Sequence, residues 1–274
     1  MSVFCFSNNQ IQEITTAGVP VTDLLVQRGY GIFDFLRVAK DKPLFIEAHL
    51  DRFFTSAEIM RLNIPQTRED IKNIVGELIE KNKMDYSGIR MIIAGGDAPD
   101  GYTIEQPHLI VIQAPLAEPI LTLPTTGIKL ASYNYQRQIP EVKTTDYLMA
   151  VWLQPWMKEQ GADDILYHHN GVVSECPRSN FFIVTKDNVL VTAEKNMLKG
   201  VTRKNILAVC KANGIKVETR DLLLSEVATA KEAFITSSTK RIIPVHQIDD
   251  IELIPNYDNS LAKTIYDLLV ELEN

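Results

Sequence analysis

The sequence predicts an α/β (α+β) protein of two domains, and three observations carry that expectation. At 274 residues, 45% of them hydrophobic, the chain is long enough to bury a substantial core in one large or two modest domains. Short β-rich runs alternate with stretches of helical periodicity along its whole length. Between Ala114 and Gly127 the segment APLAEPILTLPTTG is rich in proline and threonine and has no period, which marks a boundary. We therefore expect an N-terminal α+β domain over 1–117, a linker over 118–126 and a second domain over 127–274.

The N-terminal elements read in order. Val3 to Phe6 and Ile32 to Val38 are apolar runs bounded by turn residues, and both read as strands. From Glu47 to Leu62 the apolar positions Leu50, Phe53, Phe54, Ala57, Met60 and Leu62 recur at helical spacing, with Arg52 on another face. Thr67 and Asp70 supply a cap for a second helix that carries Ile71, Ile74, Val75, Leu78 and Ile79. Arg90 to Ala94 and Leu109 to Gln113 are strands of an antiparallel sheet. The glycines at 95, 96 and 101 read as their connection, since a phosphate loop would need a strand-to-helix context and a Gly-Lys pair.

The second part opens with the strand-like KLASYNY, followed by Lys143 and a helix over Asp146 to Gln160. Pro155 should kink that helix, because it removes an N–H and clashes with the preceding turn. Gly161 ends it. A strand begins at Ile165 to Tyr167, and Asn170-Gly171 is a strong hairpin signal that puts Glu175 on the return strand. Asn180 to Thr185 and Val189 to Thr192 make another hairpin about Lys186-Asp187-Asn188, and Thr202 to Lys211 is a helix. A strand then ends in Thr236-Ser237-Ser238-Thr239, another covers Arg241 to Val245, and a C-terminal helix should bury Leu261, Ile265, Leu268 and Leu269.

Charge and cysteine usage narrow the class of function. The formal net charge of −7, from 28 basic and 35 acidic residues with no basic tract, argues against nucleic acid as a partner. Cys5, Cys176 and Cys210 are an odd number without CxxC spacing, which fits a reducing compartment and supplies no metal set. The N-terminus has no basic and apolar leader, and no apolar run reaches about 18 residues, so we expect a cytoplasmic protein without a membrane partner.

Three pieces between Lys143 and Arg203 carry chemistry together. A lysine just before a helix, an acid in a hairpin and a glycine at a helix start supply an amine for a covalent link, a partner for a ring nitrogen and backbone N–H groups for a phosphate. Pyridoxal phosphate makes that set of demands. Each residue also has a plain reading: Lys143 as a solvated surface charge, Glu175 as a strand acid, Gly200 as a turn glycine, Ser237 to Thr239 as a strand end satisfying its own backbone.

The order and spacing lift the reading above those alternatives. Lys143, Gly161-Ala162-Asp163, Val173-Ser174-Glu175 through Asn180-Phe181-Phe182, and Leu198-Lys199-Gly200-Val201-Thr202-Arg203 resemble the successive motifs of the class IV pyridoxal phosphate enzymes. That family holds D-amino acid transaminases, branched-chain aminotransferases and aminodeoxychorismate lyases. His49-Leu50-Asp51-Arg52-Phe53 is similar to its phosphate-binding arginine segment, and Thr236 to Thr239 to its second phosphate loop. The resemblance covers nearly the whole chain. It implies two α/β domains with the cofactor in the cleft between them, and a homodimer.

The roles implied by the resemblance fall on named residues. Lys143 would link to pyridoxal 5'-phosphate, be displaced by the substrate amine, and then move the proton at the substrate's α carbon. Glu175 would hold the ring nitrogen protonated, and Tyr147 would hydrogen-bond the phenolic oxygen. Arg52, the N–H groups of Val201 and Thr202, and the hydroxyls of Ser237 and Ser238 would bind the phosphate. Arg28, Tyr30, Phe33, Arg178 and Thr239 are expected to contact substrate.

Two departures bear on the substrate. The usual Tyr-Gly-Asp-Gly-x-Phe-Glu segment is replaced by Arg28-Gly29-Tyr30-Gly31-Ile32-Phe33-Asp34, and the 95–101 loop lacks the arginine and histidine of the well-known D-amino acid transaminases. Arg178 stands where relatives carry a small residue. With Arg28 it resembles a smaller group of D-amino acid transaminases that share RGYGIFD and hold the substrate carboxylate with arginines. An unpaired arginine facing the cofactor would be costly until a carboxylate arrived. The expected function is amino transfer from a small amino acid, D ahead of branched-chain L, to a 2-oxo acid such as 2-oxoglutarate, with aminodeoxychorismate lyase as the alternative of different class.

Overall fold

A computed structural model describes residues 3–253 and 259–273. It forms two compact units: the chain up to Pro119 together with Val142–Asp146, and Ile120–Glu141 together with the chain from Tyr147 onward. This differs from the sequence boundaries in one respect. Val142–Asp146, which carries Lys143, belongs to the first unit, because Val142 is fully buried in that unit's core and Phe33 donates its N–H to the Lys143 carbonyl at 2.9 Å.

The first unit contains β1 (Phe4–Ser7), β2 (Gln10–Glu13), α1 (Leu24–Arg28), β3 (Gly31–Ala39), β4 (Lys42–Pro43), α2 (Ile46–Ile59), α3 (Arg68–Asn82), β5 (Tyr86–Ala94) and β6 (His108–Pro115). Its sheet runs β2-β1-β6-β5-β3-β4, and β3, β5 and β6 pair antiparallel over long registers from Gly31↔Ala94 and Ala94↔His108. Alternate residues of β3 point inward, so Ile32, Leu36 and Val38 meet Leu50, Phe53 and Ala57 of α2 in one core. The Thr67–Asp70 capping box is present at the start of α3. The segment 95–107, which holds Gly95, Gly96 and Gly101, connects β5 to β6, so these glycines lie in a connection between antiparallel strands as the sequence predicts.

The second unit contains β7 (Ile128–Asn134), α4 (Leu148–Trp152), α5 (Gln154–Glu159), β8 (Asp164–His169), β9 (Val172–Val173), β10 (Glu175–Cys176), β11 (Ser179–Val184), β12 (Leu190–Thr192), α6 (Val201–Ala212), β13 (Val217–Thr219), β14 (Leu222–Leu223), α7 (Leu224–Val227), β15 (Glu232–Ser237), β16 (Arg241–Ile248), β17 (Ile251–Glu252) and α8 (Leu261–Glu273). Its sheet runs β13-β12-β11-β15-β16-β7-β8-β9-β14, with β10 on β11 and β17 on β16. One face packs Phe182, Phe234 and Ile242 against α6 and α8; the other buries Phe181, Ile183 and Ile235.

Three sequence expectations change. The helix before Gly161 is two helices rather than one kinked one, since Leu153 ends the first and Pro155 sits in the first turn of the second, where its missing N–H costs nothing. Glu175 is not on the strand that returns from Asn170-Gly171. Those two residues take φ of 50° and 85°, which makes the tight turn, but the return strand β9 ends at Val173 and Glu175 starts a second hairpin with β11. In α8, Leu261 and Leu268 are half-buried while Ala262 and Tyr266 join Ile265 and Leu269 inside. Among the described residues no helix is long and apolar enough to cross a membrane.

Candidate active site

In the first unit, Lys143 is delivered by a short stretch lying along the edge of β3. Ile32 pairs with Thr144, and Thr145 donates its backbone N–H to Gly31 O at 2.9 Å and its hydroxyl to Gly29 O at 2.8 Å. Glycine at 31 permits this approach: a Cβ there would stand 2.8 Å from Ile93 O and 3.3 Å from Thr145 Oγ1. The Lys143 ammonium then lies 4.5 Å from the centroid of the Phe33 ring, a cation–π contact.

Beside it is a buried charge network. The carboxylate of Asp34 accepts from Arg52 Nε and Nη2, both at 2.8 Å, and from His49 Nδ1 at 2.7 Å. Burial opposes ionisation of Asp34, but the Arg52 guanidinium and the His49 hydrogen bond overcome it and hold the carboxyl well below the usual carboxylate range. Burial likewise pushes the His49 pKa down, against the pull of Asp34, with Arg52 and Lys143 adding to the depression. Facing the ionised Asp34, His49 carries the proton of this hydrogen bond on Nδ1. The expected phosphate ligand Arg52 thus already has a bidentate partner, and Asp34 and His49, which the sequence reading assigned no role, complete its setting.

The remaining first-unit candidates are spread out. Tyr30 donates its hydroxyl to Met60 O at 2.6 Å, so that group is engaged. Arg28 is exposed at the end of α1, where Nη1 donates to Gln27 O at 3.1 Å.

In the second unit, one end of the sheet gathers the others. Glu175 Oε2 accepts from the Leu198 N–H at 3.0 Å, and Asn180 donates Nδ2–H to Leu198 O at 2.7 Å. The two polar groups of one residue are thereby clamped by the hairpin β10–β11, which fixes the chain just before α6. Gly200 is the N-cap of α6, and a Cβ on it would meet Asn180 Oδ1 at 2.2 Å, so only glycine fits under the clamp. Having no side chain, it also leaves the first N–H groups, those of Val201 and Thr202, without a side-chain acceptor.

Asn180 pairs with Thr236 across β11 and β15, which brings the turn after Ser237 to the same sheet end. Ser237 Oγ lies 3.4 Å from Thr239 Oγ1, and Ser237 and Ser238 are half-buried while Thr239 is exposed. Arg178 occupies the two-residue turn between Cys176 and Ser179. Its side chain is exposed, so it carries no burial cost, contrary to the sequence expectation. Tyr147 is half-buried at the N-cap of α4.

The second unit adds one residue the sequence did not single out. Arg137 Nε donates to Glu175 Oε1 at 2.9 Å, and Nη2 lies 2.8 Å from the same oxygen. It stands in QRQIP, a stretch without recognisable spacing, so nothing in the sequence could have found it.

Known proteins resemble this chain along nearly its whole length. The D-alanine aminotransferase of Listeria monocytogenes serotype 1/2a (strain 10403S) is 26% identical over 280 residues, spanning 96% of this chain and 94% of its own. The branched-chain-amino-acid aminotransferase of Pseudomonas aeruginosa is 28% identical over 240 residues, spanning 81% and 76%. The structure of a branched-chain aminotransferase from the thermophilic archaeon Thermoproteus uzoniensis, with norvaline, superposes with a TM-score of 0.87, covering 100% of this chain and 96% of that one. At 22% identity that likeness speaks for the fold alone. Residues 31–248, which reach from the start of β3 to the end of β16, match the amino-transferase class IV family, and the chain belongs to it.

Proposed function

We propose that this chain is a pyridoxal-phosphate-dependent transaminase that moves an amino group from a small amino acid, with D-amino acids favoured, to a 2-oxo acid such as 2-oxoglutarate. The observation that carries the reading is the double clamp on Leu198, which sets an acid, Glu175, beside a helix start whose N–H groups have no side-chain cap. The residues present fit the cofactor. They offer a carboxylate for a ring nitrogen, N–H groups and hydroxyls for a phosphate, and a lysine amine for a covalent link.

When bound, the cofactor supplies an aldehyde for the amino group and a ring that accepts the electron pair of the α carbon. The residues divide the remaining work. Val201 and Thr202 N–H groups, aided by the α6 dipole, take the phosphate with Ser237, Ser238 and Arg52. Glu175 keeps a proton at the ring nitrogen, and Tyr147 bonds the phenolic oxygen. Lys143 would take the proton from the substrate's α carbon and deliver it to the carbon that was the cofactor's aldehyde. Phe33 provides an apolar face on which the amine rests.

The D-alanine aminotransferase relative, which aligns with 96% of this chain, supports D-amino acids, and the Pseudomonas aeruginosa relative supports branched-chain L-amino acids as the second reading. A chiral panel of amine donors with 2-oxoglutarate decides between them. Faster transfer from D-alanine or D-glutamate than from L-leucine or L-valine is the expected result. Pyruvate released from aminodeoxychorismate without any acceptor would make the chain a lyase instead. Borohydride treatment should abolish the visible absorbance and fix the cofactor's mass on Lys143, and full turnover by Lys143→Ala would refute the reading.

A further inference from the structure

We infer that Arg137 is a positioning residue for Glu175, setting the direction and strength with which that carboxylate meets the cofactor ring; the inference rests on the function proposed above. Two Arg137 nitrogens contact Oε1, Nε at 2.9 Å and Nη2 at 2.8 Å. An arginine facing a carboxylate often bonds both oxygens, one nitrogen to each. Here Nε and Nη2 both reach Oε1, while Oε2 accepts from the Leu198 N–H at 3.0 Å. The guanidinium on one oxygen and the Leu198 N–H on the other fix the plane in which the carboxylate lies.

Charge makes the arrangement more than a brace. The Glu175 side chain is 8% exposed and that of Arg137 20%, so water screens the pair weakly. A guanidinium on Oε1 makes the carboxylate a poorer base, so a proton shared with a ring nitrogen resides on the nitrogen rather than on the acid. Arg137 Nη2 also donates to the Pro140 carbonyl, three residues before Lys143 in the chain. It thereby orders the segment that leads into the lysine. That second contact is the purely structural role from which the proposal must be told apart.

A double-mutant cycle on the cofactor-loaded protein separates the two. Arg137→Ala is made with Glu175 and with Glu175→Gln, and two quantities are read: the single-turnover rate with the best amine donor, and the pH midpoint of the bound cofactor's absorbance. If Arg137 acts through Glu175, the alanine variant loses about ten- to thirty-fold in rate and shifts the midpoint with Glu175 present, and does neither in the Glu175→Gln background. Arg137→Lys, which keeps the charge but not the fork, falls between. Equal losses in both backgrounds, or no midpoint shift, would reduce Arg137 to a pin on the 137–140 segment. Where Arg137→Ala does not fold, Arg137→Lys completes the same cycle with the same criteria. A Glu175→Gln protein with unaltered rate and absorbance would instead refute the assignment of Glu175 itself.

Discussion

Glu175 and Asn180 hold the N–H and the C=O of one residue, Leu198, so the acid and the helix start that follows it are set by a single hairpin. This accounts for the spacing Glu-x-x-x-x-Asn in chemical terms: the two side chains stand directly opposite each other across β10–β11. Asn180→Ala would leave the Leu198 carbonyl unpaired and cost about 1–3 kcal/mol of local order. Cofactor affinity, measured by equilibrium dialysis, should fall by roughly ten-fold or more while the far-ultraviolet circular dichroism stays unchanged. Gly200→Ala should do the same by a different route, because its methyl would displace the Asn180 amide.

Glu175→Gln is expected to bind cofactor and yet lose orders of magnitude in turnover. Glutamine can still accept from Leu198, so the clamp survives; what goes is the negative charge that keeps a ring nitrogen protonated. Single-turnover absorbance measurements test this, and a rate near that of the unaltered protein would demote Glu175 to a strand residue of the β10–β11 hairpin.

Asp34 gives a prediction about stability. Its folded pKa is depressed, so it contributes stability above the ordinary carboxylate pKa, and this is lost as pH falls below that range. Asp34→Asn removes the partner of a guanidinium that is 12% exposed and should cost about 3–5 kcal/mol near neutral pH. The variant should also lose part of the acid limb of its stability curve. Urea unfolding at several pH values between 3 and 7, an interval taken from the roughly 3.9 of an unperturbed aspartate, would show both effects. Equal urea midpoints for the two proteins at neutral pH would mean that Arg52 finds its support elsewhere.

Periodicity made most of the fold legible. The inward face of α2, the Thr67–Asp70 cap and the strands β3, β5, β11 and β15 all follow from local pattern, and so does the turn at Asn170-Gly171. Some very short elements, such as α1, β13 and β14, are not legible, since so short a window carries no period. The grouping of the lysine segment with the first unit is not legible for a different reason: backbone hydrogen bonds to β3, the Thr145 hydroxyl and one buried side chain, Val142, hold it there, and together they leave no period in the sequence. Asp34 and Arg137 escaped notice in the same way. Each matters through a partner far away in sequence, Arg52 for the first and Glu175 for the second.

Arg178 yields the last prediction, that it binds a carboxylate of the substrate. Its turn is adjacent to Glu175, its side chain is exposed, and it makes no hydrogen bond or ion pair among the described residues. Nearby, Lys240 Nζ lies 3.8 Å from Asp164 Oδ2. Burial pushes the Asp164 carboxyl up, against the Ile165 N–H and the Lys240 and Arg178 charges, and the Asp163 charge adds to the rise, so these four charged groups share one neighbourhood. Asp164 faces Lys240 with Asp163 nearby, so the exposed Arg178 guanidinium is the group that an incoming carboxylate would meet. Arg178→Ala should therefore lower kcat/KM for amino acid donors by about ten- to a hundred-fold, the equivalent of roughly 1.5–3 kcal/mol for one charge-assisted bond. Because the group is exposed, the loss should shrink as salt is raised from 0.05 to about 0.5 M. Arg28→Ala, at the end of α1, should hurt glutamate and 2-oxoglutarate most if it takes the distal carboxylate, and all donors alike if it takes the α-carboxylate. Steady-state kinetics over several donors settles the matter: an Arg178→Ala enzyme with unchanged kcat/KM for every one of them would leave Arg178 a solvated turn residue and remove the arginine argument for D-amino acids.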